Sequence, residues 1–159
     1  MPTHPIPPVY NNRSTVLILG SFPSVRSREQ GFFYGHPQNR FWKVISAVFN
    51  ESVPSTVEEK TALLLRHRIA LWDVVASCDI QGSSDNSMKN VVANDIVSLL
   101  EQAPITAIFV NGKTAAKYYD QLIKPCVQRQ AIVLPSTSPA NAAWSLERLV
   151  EAWRVIQQQ

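Results

Sequence analysis

Hydrophobic residues in this chain gather in short continuous runs, separated by longer stretches that repeat with a helical period. VLIL (16–19), IALWDV (69–74), ITAIFV (105–110) and AIVL (131–134) do not alternate, the pattern of strands covered on both faces. Between and after them the period changes to that of a helix. Phe41, Trp42, Ile45, Val48 and Phe49 make one apolar face, and Leu146, Leu149, Val150, Trp153 and Ile156 another. Thr56 with Glu59 predicts a capping box before a helix through about His67. Asn94 is the predicted cap of a helix over DIVSLLEQ, Gly112 precedes one over KTAAKYYDQLI, and Ser145 caps the last. Strands alternating with helices imply a mostly parallel sheet with right-handed crossovers.

That order makes the residues after each strand informative, because open α/β sheets bind ligands at the carboxyl ends of their strands. All five glycines, at 20, 31, 35, 82 and 112, follow one of the first three predicted strands. After the fourth comes PSTSPANAAW, so four segments are expected to meet at one edge. The stretch between the first strand and the helix starting near Phe41 is about twenty residues long, unusual for a compact domain unless it carries function.

At 159 residues the chain is expected to form one domain, with residues 1–10 a Pro-rich extended arm. Its 45% hydrophobic and 17% charged content excludes a disordered protein. No apolar run reaches the ~20 residues of a membrane span, and MPTHPIPPVY lacks the blocks of a signal peptide, so a cytoplasmic location is expected. Cys78 and Cys126 read as reduced thiols, and His4, His36 and His67 have no metal-ligand spacing. The net charge of +3 matters through its placement. Arg26, Arg28, Arg40 and Lys43 against the single acid Glu29 put +3 into Gly20–Lys43, so the remainder is neutral. Such an excess beside aromatics suits a nucleic acid, though an ordinary solvated loop is the alternative.

GSFPS after a strand, GFFYGHPQNRFWKVI and VLPSTSPAN together resemble the uracil-DNA glycosylase superfamily. With IALWDVVASC, GSSD and FVNGKTAAK the chain is most similar to the DNA-deoxyinosine (hypoxanthine-DNA) glycosylase branch, and is related to the mismatch-specific uracil glycosylases. The resemblance spans Val16 to the last helix. It implies a three-layer α/β/α sandwich around a four-stranded parallel sheet, order 2-1-3-4. It also implies cofactor-free hydrolysis of the N-glycosidic bond of a deaminated base in DNA, hypoxanthine first and uracil second. Metal, membrane and further subunits are not expected.

Tyr34 matches the family position that stacks on the flipped base, with Ser21 and His36 as neighbours in the implied base pocket. Phe22 departs from most branches, which place Asp or Asn there to position water; a phenyl ring cannot accept a water proton. In the deoxyinosine branch Asn39 is the implied catalytic substitute, donating to the leaving base or orienting water, while also suited to cap a helix. Asp73 either reads the ring N–H of the base or pairs structurally, and Ser83 and Asp85 are weaker candidates on the same loop. Ser136, Thr137 and Ser138 are expected to clamp phosphates beside Pro139. Trp144 belongs either to that loop or to the packing beneath it. Lys113, Arg26 and Arg28 are expected to meet DNA phosphates. Phe22 also keeps open a non-catalytic DNA-binding protein on this fold; a flavodoxin-like nucleotide domain rests on fold class alone.

Overall fold

A computed structural model describes residues 6–79 and 88–158, and of Val25 and Arg26 the backbone alone. Gly82, Ser83 and Asp85, and the side chain of Arg26, lie outside that description. Strands β1 (Val16–Gly20), β2 (Ile69–Asp73), β5 (Ala107–Asn111) and β6 (Ile132–Leu134) form a parallel sheet in the order β2-β1-β5-β6. Counted by the sheet's own strands this is the expected 2-1-3-4.

Strand period divides the core in two. Val16 and Ile18 of β1, with Ile69, Leu71 and Phe109, face helices α2 (Phe41–Val48), α3 (Val57–Arg66) and the last α-helix (Leu146–Trp153). Leu17 and Leu19, with Ala70, Ile108 and Val110, face α4 (Ile96–Gln102) and α5 (Lys113–Tyr118). Both faces are covered, which is why the strand sequences run apolar without alternation. Trp42 and Trp153 are core, as expected, and their indole N–H groups donate to Phe33 O and Pro135 O. Val9 and Leu71 exchange two backbone hydrogen bonds of 2.9 Å, so the chain at Val9 lies along the outer edge of β2.

Three elements depart from the sequence pattern. The connector after β1 contains a helix, α1 (Val25–Gln30), capped by Ser24 Oγ and closed by Gly31 at φ 72°. Its six residues are too few and too polar to show a period. A two-stranded antiparallel ribbon, β3 (Val75–Asp79) with β4 (Lys89–Ala93), follows β2 directly. The cap of α4 is Asp95, whose carboxylate accepts from Ser98 N, and not Asn94. Asn94 instead donates through Nδ2 to Asp73 O at 2.9 Å and Val75 O at 3.3 Å, tying the ribbon to the end of β2. The capping box at Thr56 and Glu59 and the cap at Ser145 are as expected.

Glu51, beyond α2, receives the side chains of Arg66 and His67 from the end of α3. The hydrogen bond from Arg66, then that from His67, holds its carboxyl at about 2 against an ordinary 4.5. A depressed folded pKa adds stability that is complete above the unfolded value and is lost as pH falls through about 2. Urea melts of wild type and Glu51→Gln should therefore differ most near neutrality and converge in acid. A gap that widens on acidification would contradict this.

Candidate active site

Five segments converge at the carboxyl edge of the sheet. Gly20–Ser24 and Ser27, Tyr34 with His36 and Asn39, Asp73, Asn111, and Ser136–Pro139 line one pocket of about 340 Å³. That is near the lower end of the roughly 300–1,000 Å³ of ligand pockets.

The first segment leaves β1 at Gly20, whose α-carbon is the floor. A Cβ there would sit 2.7 Å from Tyr34 Oη and closer still to Asp73 Oδ1, so only glycine lets both polar ends approach. Ser27 is buried, and its Oγ accepts from Gly35 N at 2.8 Å, drawing the turn after α1 inward. This places Tyr34 at φ 55°, a left-handed conformation that costs about 1 kcal/mol or more in a non-glycine residue. The Tyr34 ring stacks on Phe41, with centroids 4.1 Å apart and planes 18° from parallel. Phe32 and Phe33 beside it are buried packing residues.

Hydrogen bonds across the pocket have a direction that two backbone N–H groups decide. Thr137 N–H donates to Asn111 Oδ1 at 3.1 Å, so the other end of that amide is its NH2 group. Asn111 Nδ2 donates to Tyr34 Oη and to Thr137 Oγ1, each at 3.1 Å. Phe41 N–H donates to Asn39 Oδ1 at 2.9 Å, which orients the second amide in the same way. The Thr137 hydroxyl then donates its proton to Asn39 Oδ1 at 2.9 Å. Both lone pairs of the Asn39 carbonyl are thereby occupied. What the Asn39 side chain retains for a bound molecule is its Nδ2 donor. Arg40, and not Asn39, is the formal cap residue of α2, yet Asn39 does satisfy the first helical N–H. The two readings of Asn39 are compatible in one residue.

Asp73, at the end of β2 opposite Gly20, is 3% exposed and borders the pocket. His36 Nδ1 accepts from Gln38 N at 3.1 Å, which leaves Nε2 as the N–H end of the neutral ring. Phe22 lines the pocket with the Arg28 guanidinium 5.3 Å from its ring centroid.

Ser21, Phe22, Tyr34, His36, Asn39 and Asp73, expected to hold or act on the base, all border the pocket, and so do Ser136, Thr137, Ser138 and Pro139, expected at the DNA phosphates. One expectation needs correction. Thr137 is fully buried with its hydroxyl directed into the protein, so it is not a phosphate clamp. Arg28 is half-buried against Phe22, and its buried Nε has no hydrogen-bond partner among the described residues. Lys113 is exposed at the start of α5 and does not border the pocket. Arg40, counted above as part of a basic face, donates to the carbonyls of Trp144, Ser138 and Asn141, the last two at 3.3 and 3.1 Å. It clamps the 138–144 turn to the start of α2. Trp144 is half-buried against the core, with Arg148 4.1 Å from its ring centroid. Sequence reasoning gave Asn111 no role; its one signal is an amide at a strand end, at the same edge as Asp73. Gly20 and Arg40 stand in the expected stretch, but the close approach at one and the clamp made by the other show only in contacts between distant segments.

Comparison with known proteins agrees with this architecture. The model of the uracil DNA glycosylase superfamily matches residues 7–157. A protein of Methanosarcina acetivorans named hypoxanthine DNA glycosylase is 34% identical over 152 residues, 94% of each chain. Its namesake from Methanosarcina barkeri is 31% identical over 149 residues, 92% of each. The solution NMR structure of a Methanosarcina acetivorans protein provisionally named a uracil DNA glycosylase superposes with a TM-score of 0.82. It shares 33% identity, with 96% of this chain and 95% of that one covered. A parallel sheet in this strand order, a pocket at its carboxyl edge and matches of this extent lead to one conclusion: the chain belongs to the uracil DNA glycosylase superfamily.

Proposed function

We propose that this enzyme is a monofunctional DNA glycosylase that removes hypoxanthine from DNA, with uracil as a second substrate, and so initiates base excision repair. The names of its relatives support hypoxanthine as the first choice. The observation that carries the mechanism is the orientation of Asn39, an amide with its carbonyl occupied and its NH2 group left at the pocket.

The target nucleotide leaves the helix, at a cost of a few kcal/mol. Tyr34, backed on one face by Phe41, offers the other to the base, and such stacking returns roughly 1–3 kcal/mol. The Asp73 carboxylate accepts from the ring N–H that hypoxanthine and uracil present. Their parent bases adenine and cytosine have no proton there, so a buried carboxylate disfavours them. As the N-glycosidic bond breaks, its electron pair passes to the base. Asn39 Nδ2 donates to the negative charge that develops, and water adds to the oxocarbenium-like sugar carbon, the proton it releases neutralising the departed base anion. Phe22 positions no water; it closes the wall of the pocket. The reaction requires no cofactor, and the enzyme acts as a cytoplasmic monomer on DNA carrying deaminated bases.

The turn held by Arg40 is the part that faces the duplex, with Ser136 just before it, Ser138 and Pro139 at its start, and Lys113 and Arg28 as further phosphate contacts. Arg40→Lys should weaken binding to deoxyinosine duplex by about tenfold, since an ammonium cannot span three carbonyls as the planar fork does. Equal affinity in a fluorescence-anisotropy titration would remove the turn from the interface.

An oligonucleotide with a single deoxyinosine, treated with enzyme and then alkali, tests the function. Strand cleavage at that position supports it. Tight binding without cleavage would favour the second reading that Phe22 suggests, a damaged-DNA-binding protein. Preference for a G/U mismatch over deoxyinosine would favour a mismatch-specific uracil glycosylase.

A further inference from the structure

Thr137 is the fully buried polar side chain between the two pocket amides, and it belongs to neither a helix nor a strand. Its hydroxyl accepts from Asn111 Nδ2 at 3.1 Å and donates to Asn39 Oδ1 at 2.9 Å. A hydroxyl carries one proton, and Asn111 is compelled to donate because its own carbonyl is taken by Thr137 N–H. The Thr137 proton therefore has one direction left, towards Asn39. From this we infer that Thr137 is a positioning residue. It locks the Asn39 amide with its carbonyl inward, so that Asn39 meets the departing base as a donor and never as an acceptor.

Phe41 N–H alone is not enough to do this. One hydrogen bond to a single lone pair leaves the amide plane free to turn about it, whereas two donors from different segments fix it. Thr137 comes from the turn after β6 and Phe41 from α2, and Arg40 N donates to Thr137 O at 3.1 Å, which holds the two segments in register. The same hydroxyl links Asn39 through Asn111 to Tyr34, so the residue that stacks and the residue that donates are set by one chain of bonds. Burial makes the arrangement stiff, because no solvent reaches the hydroxyl to offer an alternative partner.

This inference rests on the glycosylase reading, and its test separates the two. Thr137→Val keeps the shape and removes the hydroxyl; Thr137→Ser keeps the hydroxyl. Single-turnover excision of hypoxanthine should fall about tenfold or more in Thr137→Val, with affinity for the deoxyinosine duplex unchanged, and Thr137→Ser should recover most of the rate. In an Asn39→Ala background, Thr137→Val should cost less than about twofold, since the residue acts through Asn39. Full additivity of the two losses would mean that Thr137 serves the fold alone and would overturn the inference. Wild-type rates in a folded Thr137→Val would do the same. Independently of activity, the side-chain amide signals of Asn39 in the ¹⁵N spectrum of the free protein should shift and exchange faster with solvent in Thr137→Val but not in Thr137→Ser. Unchanged signals would overturn the inference whatever the enzyme cuts. An inactive wild type that still shows the shift would overturn the function reading and leave the lock standing.

Discussion

Asn39→Ala should lower single-turnover excision of hypoxanthine by at least ~100-fold, the scale of losing one well-placed transition-state donor. The fold should survive, because the lost interactions are a first-turn cap and the acceptor of one buried hydroxyl, together about 2–4 kcal/mol. Asn39→Asp is the sharper companion. A carboxylate satisfies Phe41 N–H and Thr137 equally well and preserves shape, but presents an acceptor where the amide presents a donor. It should be as inactive as alanine while melting near wild type. An active Asn39→Asp would mean that the residue works on water and not on the leaving base. Phe22→Asn provides the reciprocal check. If its new amide raises uracil excision, the wall position accepts the water-orienting role that the resemblance assigns to this position in other branches.

Gly20→Ala should be the second most damaging change, although it adds a single methyl group. That carbon would meet Tyr34 Oη at 2.7 Å and Asp73 Oδ1 closer still, where real Cβ atoms do not go. Gly20 lies at the end of a central strand, paired with Asp73 in register, so the backbone cannot retreat; the two side chains must move instead. Excision should fall roughly tenfold to a hundredfold through misplacement of groups that hold the base, while overpacking costs about 1–3 kcal/mol of stability. Binding to undamaged duplex, which involves neither group, should hardly change. Single-turnover rates and urea melts decide it. A Gly20→Ala protein that cuts at the wild-type rate would show that Asp73 and Tyr34 need not lie over that α-carbon.

Much of the fold is legible in the chain because its signals are local or periodic. The four apolar runs fall within a residue or two of the four sheet strands, since burial on both faces demands continuous hydrophobicity wherever such a strand lies. Thr56 with Glu59, and Ser145, cap helices through contacts three residues apart, and a separation that short can be read directly. Convergence after the four strands follows from topology, because every parallel strand ends at the same edge; that the connector after β1 returns to it a second time, at 34–39, does not. Helix α1 and the β3–β4 ribbon escaped because the first is short and polar, and the second pairs a five-residue strand of mixed polarity with a largely exposed one, which leaves no apolar stripe to detect.

Residue type around the pocket is determined by the sequence alone: a phenyl ring at 22 where the resemblance puts a water-positioning Asp or Asn in other branches, an amide at 39, an aromatic at 34 and an acid at 73. The direction in which those groups work was decided only by the tertiary structure. An isolated amide donates and accepts equally; Asn39 becomes a donor because a backbone N–H from α2 and a hydroxyl 98 residues along the chain occupy its oxygen. Arg40 offers the same lesson in charge. In the sequence it is one of four cations suited to phosphate, but folding brings three carbonyls of the 138–144 turn to its guanidinium, and short-range hydrogen bonds within the protein claim it first. Composition carries the sign and chemistry of a side chain, whereas its partners lie tens of residues away and are chosen by packing.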